Sequence, residues 1–311
     1  MKMAAMFHSI AVTTDFSEIS RQAFLPAAVL ARTLEARLQV VHVDSGPEIH
    51  TTWQCASASR ETSELRRATI AEKLDRFIAE EPAFRGIHPM PKLIVGEAAD
   101  ALRALDERED MDLIVVSSHA HEDVKHFVPG SFAARVIHLA RCPVLILRSF
   151  AATPPSEAFY IRRVLVPIDF SPPSMAALEA ASSLARAFGA SLEILSVIEG
   201  GDPGDEGTER TEKLRVASAG LACGETPRIV VRSGKPSEEI LAEAAARDID
   251  LIVMGSRGLS PVEQITLGSV AESAIQNASC PVLVVKEHLV LGSDDSGPDP
   301  RALETTAGPM R

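Results

Sequence analysis

The chain repeats itself. Ile10-Ala-Val-Thr-Thr-Asp15-Phe-Ser17 returns 154 residues later as Val164-Leu-Val-Pro-Ile-Asp169-Phe-Ser171, and Leu30-Ala31-Arg32 as Leu184-Ala185-Arg186. The offset then falls to 138. Asp112-Leu-Ile-Val115 faces Asp250-Leu-Ile-Val253, Gly130-Ser131 faces Gly268-Ser269, and Cys142-Pro-Val-Leu145 faces Cys280-Pro-Val-Leu283. Chance likeness of apolar strands explains one such block, not five in one order. A tandem duplication makes each copy a folding unit, and 311 residues suit two domains of about 150 each. The expected division is a first domain at 1–148, a linker at 149–160, a second domain at 161–287 and a disordered tail at 288–311.

Each copy alternates short β-branched runs with longer segments of helical period, the pattern of βαβ units and a parallel sheet. In the second copy the strands fall at Arg163–Pro167, Ser191–Val197, Arg228–Arg232, Leu251–Met254 and Val282–Val285. Helices are expected near Ser174–Phe188, Thr208–Ala222, Ser237–Arg247 and Ser269–Ala278, with Ser237 as an N-cap ahead of Glu238 and Glu239. The first copy places strands near Ser9–Thr13, Leu38–Val43, Pro91–Val95, Leu113–Val116 and Val144–Leu147. Strands this apolar are covered on both faces. The fold class is therefore α/β, two tandem Rossmann-like domains, each a five-stranded parallel sheet flanked by helices. Gly200–Gly207, rich in Gly and Asp, reads as a mobile acidic loop.

The net charge of -12 disfavours phosphate backbones and anionic lipid, so neither nucleic acid nor membrane is an expected partner. No apolar run reaches the ~20 residues needed to span a bilayer, and Met1–Met6 lacks the apolar core of a signal peptide. Cys55, Cys142, Cys223 and Cys280 show no CxxC spacing, so they read as thiols of a cytoplasmic protein rather than a disulfide or zinc framework.

Ligands of open parallel sheets bind beyond the carboxyl ends of the strands. Two stretches of the second copy arrive there: Asp169 after the first strand, and Met254-Gly255-Ser-Arg-Gly258 followed by Gly268-Ser269 at a helix start. Glycine permits close backbone approach and positive φ, helix-start N–H groups attract anions, and a strand-end carboxylate accepts from ribose hydroxyls. Together they describe a nucleotide site.

The Gly-x2-Gly-x9-Gly-Ser spacing after a fourth strand, with Val-Pro-Ile-Asp169 on the first, resembles the universal stress protein family in its tandem form, over about residues 7–148 and 161–287. The resemblance implies the adenine nucleotide alpha hydrolase-like variant of the Rossmann fold. It also implies ATP, with or without Mg2+, whose adenine lodges near the ends of the first two strands. Carried over, it assigns nucleotide binding to Pro167, Asp169, Val197, Met254, Gly255, Gly258, Gly268, Ser269 and Val270. It further implies pairing through last strands, here Pro143–Leu147 with Pro281–Val285, as an intramolecular pseudo-dimer. Two chains associating further, or a protein partner, stay open.

The first copy departs from the motif. Ser117 and Ala120 replace two glycines, Thr13 replaces the proline, and His119 and His121 crowd the phosphate approach, although Asp15, Gly130 and Ser131 remain. Non-glycine residues forced to positive φ are strained, so this site is expected to bind nucleotide weakly or not at all. Imidazole suits transition metals, but His119, His121 and His126 complete no recognised ligand spacing and read better as exposed loop residues. Ser233-Gly-Lys235-Pro lacks the earlier glycine and the Ser or Thr of a P-loop. Asp169-Phe-Ser171 alone could be a turn and helix cap. Cys142 and Cys280 read as packing residues.

No triad or carboxylate pair is defensible from spacing. The leading expectation is therefore an ATP-binding stress or signalling protein acting through nucleotide-dependent conformation, with at most slow hydrolysis. A slow ATPase or phosphotransferase, and a scaffold without nucleotide, with or without a metal or small-ligand site in the first domain, are the alternatives.

Overall fold

The computed structural model of the protein describes residues 7–44, 58–96, 111–119, 136–149, 158–200, 204–221, 225–258 and 267–286. The first repeat contributes β1 (Ser9–Thr14), β2 (Arg37–Asp44), β3 (Met90–Val95), β4 (Leu113–His119) and β5 (Val144–Ser149). The second contributes β6 (Arg163–Pro167), β7 (Ser191–Ile198), β8 (Arg228–Ser233), β9 (Leu251–Gly255) and β10 (Val282–Val285). Helices α1 (Glu18–Arg21), α2 (Phe24–Leu34) and α3 (Ala58–Ala79) belong to the first repeat. Helices α4 (Pro172–Phe188), α5 (Gly204–Ser218), α6 (Pro236–Ala246) and α7 (Ser269–Asn277) belong to the second.

The strands join in one sheet of order β3-β2-β1-β4-β5-β10-β9-β6-β7-β8. Neighbours are parallel within each repeat, and the repeats meet where β10 runs antiparallel to β5, with Val282 opposite Ile146 and Leu283 opposite Leu145. The two five-stranded sheets thus share one hydrogen-bonded surface through their last strands. Each repeat fixes its first strand with the same device. Asp112 Oδ2 accepts from the N–H groups of His8 and Ser9 at 2.6 and 2.9 Å, and Asp250 Oδ2 from those of Arg162 and Arg163 at 2.8 and 2.9 Å.

Alternation along the strands sends side chains to two apolar layers, one on each face, and both layers run through both repeats. Leu251 and Val253 enter the layer containing α2 and α4, whereas Ile252 and Met254 enter the layer containing α7. All four are buried, as strands covered on both sides require. Cys142 and Cys280 are buried thiols in the second layer; Cys55 and Cys223 lie outside the described residues.

The starts of α5 and α6 differ from expectation, and the two repeats differ from each other in their first helix. Residues 204–207 of the expected acidic loop are the first turn of α5, where Asp205 and Glu206 meet the positive helix end and Gly207 is buried. Helix α6 is capped at Lys235 rather than Ser237, because Pro236 has its φ already set for the first helical position. In the first repeat the counterpart of the continuous α4 is broken into α1 and α2. Pro26 has no N–H to offer the Gln22 carbonyl, and the break falls at Gln22 and Ala23. The linker centre and the tail lie outside the described residues.

Candidate functional site

The order 3-2-1-4-5 within each repeat puts the first and fourth strands side by side, and the connections beyond them leave toward opposite faces. A crevice opens at that point. In the second repeat it is a cavity of about 500 Å³ bounded by the ends of β6, β7 and β9 and by the starts of α6 and α7. Pro167, Asp169, Val197, Met254, Gly255, Gly258, Gly268, Ser269 and Val270 all line it.

Asp169 serves two structures at once. Its Oδ1 accepts from Ser171 N at 3.0 Å and Ser171 Oγ at 2.6 Å, and Ser171 Oγ in turn caps α4 by accepting from Ser174 N at 3.4 Å. The turn-and-cap role is therefore real, and it holds the carboxylate in place. The other oxygen, Oδ2, sits opposite Gly258, where an added Cβ would come within 2.5 Å of it. Between these elements Phe170 stands at φ 65°, as Phe16 does at φ 66° in the first repeat.

The site glycines do not act through left-handed backbone. Gly255, Gly258 and Gly268 all fall outside the positive-φ residues, and what they provide is proximity. A Cβ on Gly255 would lie 2.8 Å from the Pro173 carbonyl carbon and 2.9 Å from Ser174 N, so β9 passes directly against the start of α4. Gly268 N donates to the Ser256 carbonyl at 2.9 Å, folding the α7 start back on the end of β9. As the N-cap of α7, Gly268 has no side chain to engage the first-turn N–H groups. Ser269, Val270 and Ala271 form that turn and line the cavity, which leaves a helix start suited to an anion.

The β7 end of the cavity is shaped by register. β6 ends with Pro167 opposite Leu195, and Ile168 N donates to the Leu195 carbonyl at 2.8 Å. Val197, two residues on, has the same orientation, so its N–H and C=O face the side of β7 that β6 no longer occupies. Arg210 and Glu206, one turn apart on α5, line the same end. Arg210 Nη1 donates to the Val197 carbonyl and to Ser196 Oγ, each at 3.2 Å, while Nε donates to Glu206 Oε1 at 3.1 Å. Sequence reasoning missed both side chains: Glu206 at four residues before Arg210 reads as an ordinary surface pair. It also missed Arg257, which lines the cavity beside Gly258.

In the first repeat Asp15 keeps the turn, accepting from Ser17 N at 2.9 Å. Burial raises its carboxyl, and hydrogen bonds from Ser17 and Ser20 outweigh that, leaving it below its ordinary 3.8. At the end of β2, Asp44 is buried and bridged by Arg66 of α3 through contacts of 3.0 and 2.6 Å. The Phe16 ring packs 4.3 Å from His42, and Lys73 Nζ sits 4.1 Å over it. Ser117, within β4, has a buried hydroxyl with no hydrogen-bond partner. Since Gly255 has ordinary φ, the expected backbone strain at Ser117 does not apply; the substitution adds atoms where the second repeat is tight. His119 ends β4, whereas Ala120, His121, His126, Gly130 and Ser131 lie outside the described residues. Among the described residues no group of three His, Cys, Asp or Glu could hold a metal ion.

The sequence profile of the universal stress protein family matches residues 6–148 and 161–286, and the chain belongs to that family. A universal stress protein of Methanocaldococcus jannaschii is 33% identical over 140 residues, covering 40% of this chain and 82% of that one. One from Mycolicibacterium smegmatis is 26% identical over 308 residues, covering 92% of this chain and 99% of that one. The crystal structure of an Archaeoglobus fulgidus universal stress protein covers 92% of this chain and 100% of its own, with a TM-score of 0.67 at 24% identity. That likeness shows a shared tandem fold.

Proposed function

We propose that the second repeat binds ATP and that occupancy of this one site sets the conformation the protein presents in a stress or signalling response. The observation that carries the reading is the convergence of Asp169 Oδ2, Gly258 and the uncapped start of α7 in one cavity of about 500 Å³. A ribose hydroxyl would donate to Asp169, the phosphates would meet the N–H groups of α7 with Arg257 beside them, and the base would take the Val197 end. A purine's acceptor–donor edge matches the N–H and C=O that Val197 presents. Mg2+ is accommodated by phosphates themselves, which commonly supply part of its coordination.

The first repeat is proposed as a partner domain that binds nucleotide weakly or not at all, with its strand-end space filled by the Asp44–Arg66 pair and the Phe16 cluster. Domain limits of 1–148 and 161–287 follow, with 149–160 as the link and 288–311 as a tail. Buried thiols at Cys142 and Cys280 agree with a reducing cytoplasm. No helix among the described residues is long and apolar enough to cross a membrane. ATP that binds one arrangement of the site better than another shifts the population toward one conformer, and with it toward one partner surface.

Nucleotide analysis of gently purified protein tests this, with Gly268→Asp as the matched control. A single ATP per chain, absent from the variant, is the expected result. No nucleotide retained or bound on addition, in either protein, overturns it.

A further inference from the structure

The wall of the cavity at the end of β7 carries a hydrogen-bonding pattern that main chain alone does not complete. Val197 supplies a donor and an acceptor beyond the last paired residue of β6. Arg210 brings a cation to the same spot: Nη1 is 3.2 Å from the Val197 carbonyl, and Nη2 is 3.0 Å from Glu206 Oε1. Arg210 and Arg257 are the two basic side chains among the described residues of the lining; Arg210 is hydrogen-bonded to Val197, and Arg257 adjoins Gly258 in sequence. Arg257 accompanies the glycines and the helix start, where negative phosphates would be met. Arg210 accompanies Val197, where no phosphate is expected, and its charge is offset by Glu206. A guanidinium held this way serves as a fixed fork of donors rather than as a free positive charge.

The fork is anchored on three sides, by the Val197 carbonyl, by Ser196 Oγ and by Glu206. One N–H on Nη2 lies outside these contacts, since the group carries two and a single one serves Glu206. Along the wall the order is then donor from Val197 N–H, acceptor from Val197 C=O, and donor from Arg210. The carbonyl has two lone pairs and accepts from a base while retaining Arg210. Adenine offers the complement along one edge: N1 accepts, the 6-amino group donates and N7 accepts. Guanine offers donor, acceptor, acceptor at those positions and mismatches the first two.

We propose that Arg210 reads N7 of the bound base and so selects a purine ring, while Val197 selects adenine over guanine, a role that rests on the nucleotide reading of this cavity. Glu206 acts through it as a positioning residue, fixing the plane of the guanidinium from one turn away. Sequence spacing does not show this, because the contact exists only where β7 overruns β6 beneath the first turns of α5.

The test uses 7-deaza-ATP, in which ring nitrogen N7 is replaced by a C–H group and every other group of ATP is kept. Isothermal titration of the full chain should give about tenfold weaker binding of 7-deaza-ATP than of ATP, the scale of one hydrogen bond to a charged group. Arg210→Met should bind the two nucleotides alike. Equal affinities in the native chain overturn the assignment without touching the nucleotide reading, and this arm needs no variant. A preference for ATP that persists unchanged in folded Arg210→Met, checked by circular dichroism, also overturns it. Failure of the native chain to bind ATP at all overturns the nucleotide reading and this role together.

Discussion

Lys286 and Arg148 exchange partners across the joint between the repeats. Lys286 Nζ donates to the Ala140 carbonyl, and Arg148, its counterpart 138 residues earlier, donates from Nη1 to the Ala278 carbonyl at 3.0 Å. Ala278 caps the end of α7, and Ala140 follows the helical turn at 136–139, so each cation meets the negative end of the other repeat's last helix. Lys286 follows β10 directly, and Val285 accepts from Ser256 N at 2.8 Å. The contact therefore stands one residue from the strand that steadies the site loop. Lys286→Met should lower unfolding stability by about 1 kcal/mol and Arg148→Met by a similar amount. Urea unfolding of each variant measures this, and unchanged midpoints would remove the exchange from any account of the joint.

The glycines of the site separate into two kinds of sensitivity. Gly255→Ala drives a Cβ into main chain of Pro173 and Ser174, which cannot swing away, and should cost about 1–3 kcal/mol of stability. Gly258→Ala places its methyl against the Asp169 carboxylate instead. It should leave the unfolding midpoint nearly intact while weakening ATP binding by at least about tenfold. Paired thermal unfolding and titration distinguish the two, and the reverse pattern would show that Gly258 is structural.

Glu35 ends α2 at φ 54°, and its counterpart Gly189 ends α4 at φ 64°. The same left-handed cap is therefore built once with glycine and once with a residue that is strained there. Glu35 is exposed, so its replacement disturbs no packing. Glu35→Gly should raise stability by about 1 kcal/mol, and Gly189→Glu should lower it by about as much. Chemical denaturation curves of the two variants check the signs, which should be opposite.

At the far edge of the second repeat, Glu193 and Glu243 are both buried and bridged by Arg228, 2.7 and 3.0 Å from their respective oxygens. Burial raises Glu243, but hydrogen bonds from Glu193, Arg228 and Arg232 outweigh it and hold its carboxyl at about 2, below the ordinary 4.5. Burial and the hydrogen bond to Glu243 raise Glu193. The stability carried by Glu243 is complete above pH 4.5 and is lost as pH falls toward 2. Glu193 works in the opposite sense: its share is present at low pH and is lost as pH rises through its raised value. Glu193→Gln, which imitates the protonated form, should therefore match or exceed the native chain at neutral pH. Glu243→Gln should lose about 1–3 kcal/mol there and show a weaker decline in acid. Urea unfolding across pH would contradict this if the two variants behaved alike.

Much of the fold is legible because its strands are apolar on both faces and stand twice in the chain; Leu251–Gly255 and Val282–Val285 differ from expectation by one residue or none. Helix starts were less legible where a single residue decides them. Pro236 moved the α6 cap forward to Lys235, and Pro26 broke the first-repeat helix although the matching second-repeat segment is unbroken. The residues around the cavity were legible through the glycine spacing, but the reason for the glycines was not. Positive φ is a local property that sequence suggests, whereas the crowding of Gly255 by Pro173 depends on how β9 meets α4. Arg210 and Glu206 were hidden for a related cause, since an i, i+4 pair on a helix looks the same over solvent as over a cavity.

The antiparallel seam between β5 and β10 leaves β3 and β8 as the outer margins of the sheet. Every substitution at the seam is felt by both copies, because Val144, Leu145 and Ile146 must fit Val284, Leu283 and Val282. The ligand ends answer to no such counterpart. Duplication thus left the halves bound to resemble each other along their shared border and free to drift at their tips. Cys-Pro-Val-Leu stands unaltered at 142–145 and 280–283, while the position that carries Gly255 in one half carries Ser117 in the other.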